Sequence, residues 1–144
     1  MERKKISLIA LLAAVLFISG CTGAETDAQF TKRVFNGLVK GNQKIQDSID
    51  WEKFKAFGID TGQAYSNIVS EKERADYRKI FLYNCAFTFR AAKGKPAVIS
   101  NWRVKSREGD NTIVAADTPV GKALLFTLTF SKGKRKLAAI NWQQ

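Results

Sequence analysis

The chain contains no histidine. That absence removes imidazole as a general base near neutral pH, as the partner of a nucleophilic serine or cysteine, and as a metal ligand. Cysteine is nearly as scarce, at Cys21 and Cys85 only. No carboxylate pair, glycine-rich phosphate loop or metal-spaced cluster takes their place. The expectation is a non-enzyme, with no catalytic residue, no metal ligand and no cofactor. Long apolar runs are missing too. The longest, Ile6 to Ile18, falls short of the roughly 20 residues that a membrane-spanning helix needs. The sequence shows no internal repeat and no low-complexity segment.

What is present begins with that short run. Arg3, Lys4 and Lys5 precede it, and Ser19 and Gly20 follow it as small residues before a break. This is the layout of a secretory signal, with an apolar core of roughly 7–15 residues. Ile18-Ser19-Gly20-Cys21 resembles the lipobox of bacterial lipoproteins. The resemblance implies that residues 1–20 are removed, that Cys21 carries lipid, and that the protein lives in the cell envelope. Thr22 stands where an Asp would hold the protein at the inner membrane of an enteric-type cell. Its presence implies the outer membrane, facing the periplasm, in a Gram-negative organism. In a Gram-positive one the same anchor means the outer face of the plasma membrane. Residues 21–27 are small and polar and read as a tether. It would keep residues 28–144, a single domain, within about 25 Å of the membrane. With Cys21 lipidated, Cys85 has no intramolecular disulfide partner.

The formal charge is +11, and loss of residues 1–20 takes three cations and one anion, leaving +9. The excess is concentrated late: from Lys93 onward ten Lys and Arg face Glu108, Asp110 and Asp117. Such a balance suits an anionic partner. For an exported, lipid-anchored protein that means anionic lipid, cell wall or another envelope protein, and not nucleic acid. The alternative is that the cations only keep a small domain soluble. Arg103, Lys105 and Arg107 alternate along one strand face, as a solvated surface would. Lys132, Lys134, Arg135 and Lys136 crowd one turn more densely than a hairpin requires, which marks them as the candidate anionic-surface contact.

Thr26 or Asp27 can cap a helix carrying Phe30, Val34, Phe35, Leu38 and Val39 at three- and four-residue spacing. Gly41-Asn42 is a natural stop. Ile45 and Ile49 continue an apolar face, and Asp50 is placed to cap a further turn or two through Phe57. Gly58 and Gly62 bracket a loop. Ser70-Glu71-Lys72-Glu73 is a capping box that opens the longest helix, predicted to run to about Ala92. Between Ile80 and Phe89 it is apolar almost all round, which predicts a central helix covered on several sides. From Val98 the period changes to two. Turn signals at 108–111, 117–121 and 131–136 separate four strands, which predicts a four-stranded antiparallel meander. Helices first and strands after give an α+β domain with the helices on one sheet face.

This order of parts looks like the NTF2-like superfamily, a cone-shaped α+β fold. The likeness rests on Phe35-Asn-Gly-Leu-Val-Lys-Gly41-Asn42, on Ile49-Asp-Trp-Glu-Lys-Phe54, on the long apolar helix, and on the closing Leu137-Ala-Ala-Ile-Asn-Trp142. The layout is also similar to periplasmic phospholipid carriers of that shape. The resemblance implies a curved sheet with helices on its concave side and room for a pocket between them. It fixes no activity. Asp50 and Asp60 are lone acids near the expected mouth, each explained by a cap or surface role. Cys85 sits among apolar neighbours and is expected to be buried and inert. Tyr77, Phe81, Asn84 and Thr88 share one helix stripe, and Trp102, Phe126 and Trp142 are candidates from the strands. These residues are open to two readings, a ligand pocket or a filled core. The expected function is a membrane-anchored, non-catalytic binding module that holds an apolar or amphiphilic ligand or docks a partner. A structural or assembly lipoprotein without a ligand is the alternative, and a small enzyme using a lone Asp the remotest one.

Overall fold

Thr26 opens the first helix through a closed exchange of hydrogen bonds. Its hydroxyl accepts the Gln29 N–H (3.2 Å), and the Gln29 side chain accepts the Thr26 N–H (2.9 Å). The computed structural model describes residues 23–144, so the signal segment and Cys21 lie outside the described residues. Helix α1, Asp27–Lys40, ends at Gly41, whose φ of +68° supplies the left-handed cap. The predicted apolar face is the buried one: Phe30, Val34, Phe35, Leu38 and Val39 all face inward. A short 3-10 helix, Gln43–Ser48, follows.

The segment after it departs from expectation. Asp50 caps no helix; residues 51–53 form only a turn. Its backbone N–H donates instead to Leu137 (2.9 Å), and its buried carboxylate accepts from the Thr129 hydroxyl (2.9 Å). Strand β1 (Lys55–Ala56) stands where the sequence predicts a helical turn through Phe57, and the expected loop from Gly58 to Gly62 holds strand β2 (Ile59–Asp60) and the start of helix α2 (Thr61–Ser66). Asp60 caps α2 by accepting the Gln63 N–H (3.0 Å). Local apolar spacing is too sparse there to announce a strand, and the pairing that creates β1 comes from a residue far away in sequence. Lys55 and Ala56 run parallel to Ala139 and Ile140.

Ser70 caps helix α3, Glu71–Ala91. The strands β3 (Ser100–Glu108), β4 (Asn111–Asp117), β5 (Ala123–Ser131) and β6 (Lys134–Trp142) pair antiparallel in chain order. The domain is α+β, but the sheet is not the four-stranded antiparallel one predicted. Among the described residues it is mixed and has six strands in the order β2-β1-β6-β5-β4-β3.

The core lies between the sheet and α1. Phe35 packs edge-on against Phe126 (5.5 Å between centroids), and Trp102 lies 5.1 Å from the same ring. Leu124, Phe126 and Leu128 point inward as the alternation predicts, whereas Phe130 is exposed. The largest correction concerns α3. It packs on α1 and on the 51–54 segment rather than centrally: Leu82 and Ala86 are buried, but Ile80, Tyr83 and Phe87 face solvent. Its N-terminal half is clamped by Arg78, which donates to the Tyr65 hydroxyl (2.6 Å), Gln46 (3.1 Å) and Glu71 (3.0 Å).

Candidate functional site

Because α3 rests on α1, its C-terminal half stands off the sheet. The gap is an open cleft of about 780 Å³, within the range of roughly 300–1,000 Å³ typical of ligand sites. Phe35, Leu38 and Val39 of α1 and the fully buried Phe54 close its depth. Phe81, Asn84, Cys85, Thr88 and Phe89 of α3 form one wall. Leu124, Ile140 and Trp142 of the sheet form the other.

The mouth is unusual for water-facing structure. Phe57, Ile59, Val98, Val120 and Trp142 are large, apolar and exposed, Val120 to 73% and Ile59 to 68%, and all five line this cleft. They arrive from four separate segments, so no single strand or helix accounts for their convergence. Exposed apolar residues scattered singly need no explanation, but a contiguous set around a concavity does. Phe57 stands at the tip of the β1–β2 hairpin with φ +52°, followed by Gly58 at +82°. A two-residue turn with both φ values positive favours Asn-Gly, and a bulky aromatic at its first position is strained. Its ring lies 5.9 Å from Trp142.

The predicted pocket residues divide. Phe81, Asn84 and Thr88 line the cleft; Tyr77, Trp102 and Phe126 do not. Phe126 is wholly inaccessible, and Trp102 packs against it and Phe35 while donating to the Ile99 carbonyl (3.2 Å). Phe126 belongs to the core and Trp102 packs against it, because α1 lies over β3 and β4 and carries Phe35 onto both rings. Tyr77 lies between Tyr65 and Phe81, and its hydroxyl donates to the Thr61 carbonyl (3.4 Å). Burial pushes that hydroxyl's pKa up. Cys85 is half-buried rather than buried, and loss of hydration pushes its thiol up to about 11. The thiol is therefore protonated at neutral pH and a poor nucleophile. Asp50 and Asp60 lie outside the cleft lining. Hydrogen bonding from the Gln63 N–H, helped by Lys55 (3.4 Å), holds the Asp60 carboxyl below its ordinary value. No family model, curated protein or solved structure matches the chain.

Sequence reasoning missed Phe57, Ile59, Val98 and Val120. The available signal was an apolar residue inside turn chemistry: Phe57 before Gly58, and Val120 between Pro119 and Gly121. Among the described residues no three of His, Cys, Asp and Glu are grouped to hold a metal ion. A second, more polar hollow of about 580 Å³ is lined by Arg103, Asp117, Lys122 and Gln144. Its central charges satisfy each other: Arg103 and Asn101 both donate to Asp117 (2.9 and 2.8 Å).

The basic turn lies at the other end of the sheet. Ser131 pairs with Lys134 at one end of β5–β6, and Leu124 pairs with Trp142 at the cleft end. Asp27, the first residue of α1, is bound at the basic end by Arg135 (3.1 Å) and Arg107 (2.8 Å). The four predicted contact residues divide here too. Arg135 is committed inward, donating to the Glu25 carbonyl (3.0 Å) and lying over the Phe30 ring (5.4 Å). Lys132 and Lys134 are exposed, and Lys136 is half-buried.

Proposed function

We propose that this protein is a lipid-anchored, non-catalytic module of the bacterial envelope that holds an apolar or amphiphilic ligand. The observation that carries the proposal is the cleft of about 780 Å³ with exposed apolar side chains converging on its mouth. Burial of these side chains against a ligand supplies about 25 cal/mol per Å² of apolar surface removed from water. The finer fold assignment, NTF2-like, belongs to the same proposal. The long helices precede the four long strands, and a pocket lies between α3 and the sheet, which supports the layout that superfamily implies.

The anchor fits the rest of the geometry. Glu25 is hydrogen-bonded to Arg33 (2.7 and 3.0 Å), so a lipid on Cys21 would be only four residues from a point held by the domain. That is about 14 Å fully extended. Lys132 and Lys134 then sit on the membrane side, suited to anionic lipid. The cleft opens at the far end of a helix about 21 Å long, away from the surface.

An environment-sensitive apolar dye should bind the purified protein saturably and be displaced by acyl chains. Thr88→Trp, which fills the cleft from an exposed position, should abolish binding without lowering thermal stability. Dye binding that survives this change would place the site elsewhere and overturn the proposal. The outward stripe Ile80, Tyr83 and Phe87 supports a second reading, an assembly lipoprotein that docks another envelope protein through α3. Cross-links from Tyr83→Cys to one partner, with an empty cleft, would favour it.

A further inference from the structure

We infer that the ligand of the cleft is an anionic amphiphile, its chain lying against α3 and its charged head held at Lys93 and Lys95. The inference rests on the reading of the cleft as a ligand site. Among the described residues, Lys93 and Lys95 are the only charged ones in the cleft lining, and none there is a carboxylate. Both are exposed at its rim. Neither belongs to an ion pair among the described residues, so no carboxylate there competes with an anionic head group.

The turn that carries Lys93 is fixed to the apolar wall. The Lys93 N–H donates to the Arg90 carbonyl (2.9 Å), and the Gly94 N–H to the Phe89 carbonyl (2.9 Å). Lys93 adopts the left-handed conformation, φ +56°, that this turn demands. Gly94 is required for a different reason: a Cβ there would stand 2.7 Å from the Phe89 ring, so the ring packs directly on the turn backbone. The backbone that carries Lys93 is therefore held beside the apolar surface, within side-chain reach of it. Below the lysines on the same wall stand Thr88 and Asn84, about 6 Å apart along the axis. They give a head group neutral hydrogen-bonding neighbours, since each carries donor and acceptor atoms. The helix dipole accounts for one cation near the end of α3, and Arg90 already fills that place in the last turn. It does not account for two more, unpaired and on the cleft side.

The test compares heads on one chain length. Dodecanoate, dodecyl phosphate, dodecanol and dodecyltrimethylammonium compete for the bound dye, each below its micellar concentration. The two anions should displace the dye at concentrations roughly five- to twentyfold lower than dodecanol, and the ammonium should be weakest. In the Lys93→Gln, Lys95→Gln double variant the anion-to-dodecanol ratio should fall to about one, and in wild type it should shrink with added salt. A difference between dodecanoate and dodecyl phosphate tells a carboxylate from a phosphate ligand. Equal displacement by dodecanol and the anions, or a preference that survives in the double variant, overturns the head-group assignment while leaving the cleft as a ligand site. Failure of all four to displace the dye overturns the ligand site itself.

Discussion

Phe57 is held where an asparagine would be more comfortable. Its left-handed backbone costs on the order of 1 kcal/mol for a bulky residue, and its ring is half exposed beside Trp142. The ring therefore gains nothing for the turn itself, and its place at the cavity rim gives it a ligand to touch under the proposed function. Phe57→Asn should leave the thermal midpoint unchanged or raised, while weakening ligand binding several-fold; a loss of stability with binding intact would contradict this. Phe126 behaves oppositely. It is inaccessible and wedged against Phe35 and Trp102, so Phe126→Ala should cost about 3–5 kcal/mol in denaturant unfolding. Cys85 offers a third measurement. In a Cys21→Ser chain its alkylation should be slow at pH 7 and climb as pH approaches about 11. A bound ligand should slow it further, because the thiol lines the cleft.

At the scale of elements, α3 shows how composition and position separate. Ten residues from Ile80 to Phe89 are mostly apolar, and periodicity places Tyr77, Phe81, Asn84 and Thr88 on one stripe. That stripe is real, yet only its C-terminal part meets the cleft, because Arg78 and the aromatic cluster of Trp51, Tyr65 and Tyr77 dock the N-terminal part. Nothing in the local sequence says which side of α3 will touch α1. The strands were more legible. Alternation in β5 identifies Leu124, Phe126 and Leu128 as inward, whereas β1 and β2 are too short to carry a period. Acid sensitivity also belongs to the elements. Arg33 holds Glu25 below its ordinary carboxyl value, and Asn101 with Arg103 does the same for Asp117. A depressed folded pKa contributes stability that is present above the unfolded value and lost as pH falls through the folded one. The thermal midpoint should therefore be flat from pH 7 to about 5 and fall below about 4. Glu25→Gln should make that fall shallower.

The whole molecule is polarised. One end carries the start of α1, the ion pairs of Asp27, and Lys132 and Lys134; the other carries the cleft. On vesicles containing anionic lipid, binding should weaken with salt, and Lys132→Gln with Lys134→Gln should weaken it further. Arg135→Gln should instead lower stability, since Arg135 is spent on Asp27, Glu25 and Phe30. An environment-sensitive label at Lys132→Cys should report lipid contact on the bound protein, and one at Val120→Cys should not. Lipid contact at Val120 would reverse the proposed orientation.

The sequence by itself determined the α+β class, the first helix and its buried face, the capped long helix, the inward face of β5, and the lack of imidazole chemistry. These follow from capping residues, periodicity and composition, which act within a few residues of each other. Only the tertiary structure decided that the sheet has six strands, that α3 stands off it, and that Phe57, Ile59, Val98, Val120 and Trp142 meet around one opening. Those outcomes depend on pairings between distant segments, such as Ala56 with Ile140, and on which helix face wins the contact with α1. The same packing turned Arg135 from a free surface charge into a clasp and left Lys93 and Lys95 beside the cleft, a difference that no local pattern of charge can express.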